Sequence, residues 1–141
     1  MSGAAPTAGL AAFLLDDTDV SGLTDGRVFR PKIPQRELPS MPRACVIVTP
    51  AGGYLQFGDS YLPIGDPRLD VRCYGSTPLE GQNIARAVLN ACKRMRPGVW
   101  AGCMLYSANV SAGVMALIDL GTLWDFSLVT FVVLCGEESA D

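Results

Sequence analysis

An α+β fold, with a mainly antiparallel β-sheet and two helices packed on one face, is predicted by three features of this 141-residue sequence. The stretch RLDVRCYGSTPLEGQNIARAVLNACKRMRP, residues 68–97, reads as strand, tight turn, capped helix and helix stop. Two β-branched runs, RACVIVT at 43–49 and FSLVTFVVLC at 126–135, read as strands. The order helix, strands, helix, strands then puts helices and sheet in separate layers of one domain spanning residues 1–141.

The first helix is expected over 6–15, opened by Pro6, with Leu10, Phe13 and Leu14 on one stripe. Asp16, Asp17, Thr18 and Asp19 break that pattern, and Gly22 and Gly26 mark turns. Arg27–Phe29 suits a short edge strand. Residues 31–42 carry four prolines and predict an extended loop. An extended loop around 50–67 is punctuated by glycine and proline and carries Tyr54, Leu55, Phe57, Tyr61 and Leu62. In the strand 69–74, Leu69, Val71 and Cys73 point inward and Arg68, Asp70 and Arg72 outward.

The second helix, 78–96, has the clearest start signal. Thr77 is its N-cap, Pro78 fills the first helical position, and Glu80 completes a capping box. Arg94 and Arg96 suit the negative end of its dipole, and Pro97-Gly98 stops it. Ala85, Val88, Leu89, Cys92 and Met95 make its buried stripe. Residues 97–118 contain no charge, but their glycines, serines and Asn109 argue against a spanning helix, and their partial alternation predicts buried sheet. Val99–Val110 and Val114–Leu120 read as two strands or one bent strand. The acidic tail 137–141 is expected to fray.

Apolar residues make up 49% and charged residues 18%, the reverse of a disordered composition. So little charge leaves a neutral surface, which suggests burial against other subunits. A net charge of −3 argues against specific nucleic-acid binding. The local basic run of Arg27, Arg30, Lys32, Arg36 and Arg43, opposed by Glu37 alone, suits a solvated loop or an acidic partner. The N-terminal stretch lacks the basic region of a signal peptide. Five scattered cysteines without a CxxC motif read as buried free thiols.

The sequence has no histidine, which removes Ser-His-Asp and Cys-His nucleophiles and the common zinc sites. No phosphate-binding glycine loop follows a strand. Asp17–Gly22 mimics the start of a calcium loop, but its twelfth position is Val28 where a bidentate Glu belongs. No catalytic, cofactor or metal residue is therefore assigned.

The ordered pieces resemble the small tail-terminator, or tail-completion, proteins of long-tailed bacteriophages and related gene-transfer particles. They are the short first helix, Gly26–Phe29, the proline-rich link, strand 44–49, Leu69–Gly75, Ala85–Leu89, and Trp124 before the closing strand. The resemblance implies a virion protein assembled in the host cytoplasm, forming a ring, hexameric as a rule, at the head-proximal end of the tail tube. Its partners would be further copies of itself, the tail tube protein and head–tail connector or stopper proteins, with DNA passing through the ring and no membrane or cofactor. Arg27, Arg30, Lys32, Arg36 and the aromatic and leucine residues of the 50–67 loop are the expected subunit contacts. Two other readings compete: a connector or stopper of the neck, and a small enzyme or ligand-binding domain built around a thiol such as Cys73 or Cys103.

Overall fold

The computed structural model describes residues 6–30, 33–54 and 64–137. Helix α1 (Pro6–Asp16) and helix α2 (Thr18–Thr24) come first, then strand β1 (Val28–Phe29) and a 3₁₀ turn (Gln35–Ser40). Strands β2 (Cys45–Tyr54) and β3 (Ile64–Tyr74) lead into helix α3 (Pro78–Lys93), and β4 (Gly98–Trp100), β5 (Cys103–Ile118) and β6 (Asp125–Glu137) complete the order. Among the described residues the strands form one sheet in the order β1-β2-β3-β6-β5-β4, in which β1–β2 is parallel and the other pairs are antiparallel. The expected α+β class holds.

The α3 start follows its sequence closely. Thr77 Oγ1 accepts from Glu80 N at 3.2 Å, and Glu80 Oε1 accepts from Ser76 N at 2.8 Å. The reciprocal arm of the capping box thus closes one residue ahead of the cap. Glycine lets this end sit tight on the sheet, since a Cβ on Gly81 would lie 2.9 Å from the Cys73 carbonyl oxygen. The helix ends at Lys93, three residues short of the expected boundary, with Arg94 as its C-cap.

Helices α1 and α3 cover one face of the sheet. Leu10 and Leu14 of α1 and Ile84, Val88 and Ala91 of α3 meet Val46, Val48, Val71, Leu105, Val129 and Phe131, all fully buried. Side chains of this size contribute roughly 1.5–3 kcal/mol each when fully buried. On the other face a smaller cluster forms where Phe29, Ile33 and Met41 fold over Cys45, Ile47 and Tyr74. Tyr74 packs on Phe126 at 5.3 Å, and the Arg72 guanidinium lies 5.4 Å over the same Phe126 ring.

Two expectations need correction and two gain detail. The acidic run 16–19 ends α1 as expected, but a second helix follows at once: Asp17 accepts from Val20 N at 3.1 Å and caps α2. That role also disposes of the calcium-loop resemblance, because Asp17 is already bound by Arg94 at 2.9 Å. The proline segment is not wholly extended, since 35–40 winds into a 3₁₀ turn whose φ values suit Pro39. The 50–67 segment is strand at both ends: Gly53 pairs with Pro67 and Tyr54 with Asp66, past a register shift beside Pro50. Finally, β5 is one continuous strand, led in by the short β4 through a turn at Ala101 and Gly102, both with positive φ. Residues 55–63 and 138–141 lie outside the described residues.

All five cysteines are buried and unpaired by disulfides. Burial pushes the Cys45 and Cys92 thiols up from 9.0 to about 12, and raises Cys73 as well. For Cys45, nearby Arg27 and Arg43 offset only part of that effect.

Two outcomes are expected. Val88→Asp places an unpaired carboxylate in a fully buried site and should cost at least about 3 kcal/mol, seen as loss of the cooperative urea transition. In the unfolded chain the thiols ionise near pH 9, while the folded protein holds them neutral. Unfolding therefore releases protons above that pH, and stability should be intact below it and fall between about pH 9 and 12, read as a declining urea midpoint.

Candidate assembly interface

The first residues of β5 lie under the helices. Cys103, Leu105 and Ala108 are buried, and β4 protects the outer edge as far as Leu105. Beyond that point β5 pairs only with β6 among the described residues, so its outer edge from Tyr106 to Ile118 carries free backbone donors and acceptors. Exposed edges are usually guarded by charge or proline. This one has neither over residues 106–118.

The side chains there are bare as well. Val110, Val114, Met115, Leu117, Ile118 and Leu134 are 39–57% exposed, and Leu120 and Leu123 at the hairpin tip reach 91% and 73%. The β5 half expected to be buried sheet is therefore left partly exposed among the described residues. Eight large apolar side chains are thus exposed along β5, on its neighbour β6 and at the tip, on both faces of the sheet.

Irregular pairing bends this arm. Register shifts fall between Leu105 and Ser107, Val110 and Ala112, and Ala112 and Met115. Bulges of this kind increase local twist and redirect a strand. The tip itself is tied down. Asp119 Oδ1 accepts from Gly121 N at 2.8 Å and Thr122 N at 3.2 Å, while Asp119 N donates to Trp124 O at 2.9 Å. Leu123 is held at φ 63, a left-handed conformation uncommon for a bulky residue.

Two hollows adjoin the arm. A groove of about 350 Å³ lies where α3 ends over β5, with Leu89, Lys93 and Met95 on one wall, Asn109 and Val110 on the other and Phe131 at its floor. A hollow of about 440 Å³ opens on the opposite face, lined by Ile33, Leu38, Ile47, Arg72, Tyr74 and Trp124. Arg72 hydrogen-bonds Tyr74, whose phenol is pushed up chiefly by burial.

The expected contact residues sit elsewhere. Arg27 is half-buried at the opposite, β1 side of the sheet, where its Nε donates to Ala44 O at 2.8 Å. Arg30 and Arg36 are exposed near it. Tyr54 ends β2, and its side chain, like Lys32, Leu55, Phe57, Tyr61 and Leu62, lies outside the described residues. The structure thus groups the basic residues at one side of the sheet and the apolar arm at the other.

For a thiol site the geometry is unfavourable. Cys73 is fully buried with its thiol raised, the reverse of an activated nucleophile. Hydrogen bonding to Cys135 pushes the Cys103 thiol down, yet Cys103 is only 1% exposed. Among the described residues no group of three or more Cys, Asp or Glu side chains is placed to hold a metal ion. No helix is long and apolar enough to cross a membrane.

No protein-family model matches the chain, and no curated protein sequence does either. Among solved structures it is similar to a chain from the virion of a native gene transfer agent particle, with a TM-score of 0.63 at 15% identity, covering 94% of this chain and 96% of that one. At that identity the likeness establishes a shared fold.

A paired substitution on the bare sheet face tests the surface. Met115→Lys with Leu117→Lys should leave folding free energy within about 1 kcal/mol of the parent, because both side chains already face solvent. It should abolish concentration-dependent self-association in sedimentation velocity. Loss of folding would mean that the arm is held within its own chain.

Proposed function

We propose that this chain is a structural virion-assembly protein, a tail terminator that forms a ring, hexameric as the family resemblance implies, at the head-proximal end of a phage-like tail tube. It stops tube growth there and presents a surface to the head connector. The observation that carries this reading is the long, uncharged and unpaired β5 edge with its bare apolar face, on a fold shared with a gene transfer agent virion chain. An edge of that kind is an aggregation hazard in a monomer and an asset in a protein whose neighbours cover it.

The remaining features agree with a role in assembly rather than catalysis. The sequence lacks histidine, and the thiols are sequestered. The residues Arg27, Arg30, Lys32, Arg36, Tyr54, Leu55, Phe57, Tyr61 and Leu62 are proposed as further contacts, to a neighbouring copy or to the tube.

The test is light scattering and negative-stain microscopy of the chain with and without purified tail tube protein. A closed ring, alone or capping one end of each tube, is expected, with tube length limited when the chain is present. Binding to portal or adaptor protein while tube ends are ignored would move the assignment to the neck. A strict monomer indifferent to every one of these proteins would overturn the assembly reading.

A further inference from the structure

We propose that the ring closes by a tip-in-groove contact: the β5–β6 hairpin tip of one copy seats in the groove between α3 and β5 of the next. The proposal rests on the assembly reading above and names the surfaces that carry it.

The two surfaces match in shape and chemistry. Leu120 and Leu123 project from a tip fixed by the Asp119 turn, so little freedom is lost when they are buried. The groove, about 350 Å³, has space for two leucine-sized side chains, and its floor and walls are Phe131, Leu89, Met95 and Val110. Charge is complementary. Asp119 and Asp125 flank the tip, while Lys93 and Arg96 are exposed where α3 ends at the groove. Arg94 beside them is already bridged to Asp17 and Asp19, and among the described residues no carboxylate pairs with Lys93.

Backbone strain points to the same tip. Leu123 occupies a left-handed conformation that glycine or asparagine would adopt more readily. Leu123 N donates to Asp119 O at 2.6 Å while its side chain stays 73% exposed, and strained residues of this kind gather at functional sites.

Tip and groove are separate surfaces, the groove at Ser107–Val110 in the middle of β5 and the tip beyond Ile118. In the proposed ring each copy offers its tip to one neighbour and its groove to another, a heterologous contact, whereas two copies that exchanged tips would close as a dimer and overturn the ring contact.

The test is a double variant, Leu120→Cys with Lys93→Cys, assembled and oxidised under mild conditions. A ladder of disulfide-linked species that ends at the ring size is expected, with the 120–93 linkage found by mass spectrometry. The single Leu120→Cys variant should give no dimer. In parallel, Leu123→Gly should raise the melting midpoint of the monomer while weakening self-association at least tenfold, a split that a merely structural role would not produce. Rings that form normally without any 120–93 linkage would overturn this contact and leave the assembly reading standing. A 120–120 linkage alone would overturn it in favour of a two-fold tip-to-tip pair. If the parent chain forms no ring, alone or on tail tubes, the contact and the assembly reading fall together.

Discussion

A mismatch of lengths governs this structure. Helix α3 has 16 residues and β5 has 16 residues, yet a helix rises about 1.5 Å per residue and a strand about 3.3 Å. The helix therefore spans roughly 24 Å and the strand roughly 53 Å. Helices α1 and α3 can roof only the first part of β5, where Cys103, Leu105 and Ala108 are buried. The rest of β5 is left exposed at the side of the helical layer, although its partner β6 stays buried at Ser127, Val129 and Phe131. The assembly proposal follows from that exposed outer strand, whose ladder among the described residues is paired on one side only.

The parts of the fold that were legible in the sequence are those whose signals are local. Thr77, Pro78 and Glu80 announce α3 within one turn of chain, and the stripe from Ala85 to Cys92 fixes its buried face. The β2 and β6 runs declare themselves by β-branched content. Asp17 was harder to read because one residue does two jobs: it terminates α1 and caps α2, and a cluster of aspartates looks like a breaker in either case. In the 50–67 segment proline and glycine suggested a loop, whereas a register shift beside Pro50 lets β2 continue to Tyr54. That is a pairing effect, invisible without the partner strand.

The assembly surface was the least legible part, for a reason of principle. A strand buried by its own helices and a strand buried by a neighbouring copy have the same composition. Residues 106–118 look like core, and nothing in their order says whose core they join. The three register shifts also destroy the period-two signal that distinguishes one face from the other. The aromatic residues of 50–67 and the basic run, by contrast, are conspicuous by type. What could have flagged β5 was the absence of charge over residues 97–118 combined with turn signals too sparse to break it into short strands.

Charge and apolar surface divide the labour across the sheet. On the β1 side, Arg27 donates to Ala44 O and Arg43 pairs with Glu37 at 2.5 Å, so much of the basic run is spent holding the chain to itself. On the β5 side, among the described residues, the outer edge from Tyr106 to Ile118 has no such internal partner. In the proposed contact, the groove at Val110 and the end of β5 at Ile118 are separated by about eight residues of strand, a lever of roughly 26 Å. A lever that length would magnify any looseness at its root into a variable angle, and variable angles give open filaments as readily as rings. The pairing of β5 with β6 along the arm and the hydrogen-bonded turn at Asp119 remove that looseness. The same bulges that obscure the sequence pattern set the twist of the arm, and in the proposed ring that twist would set the rotation from one copy to the next.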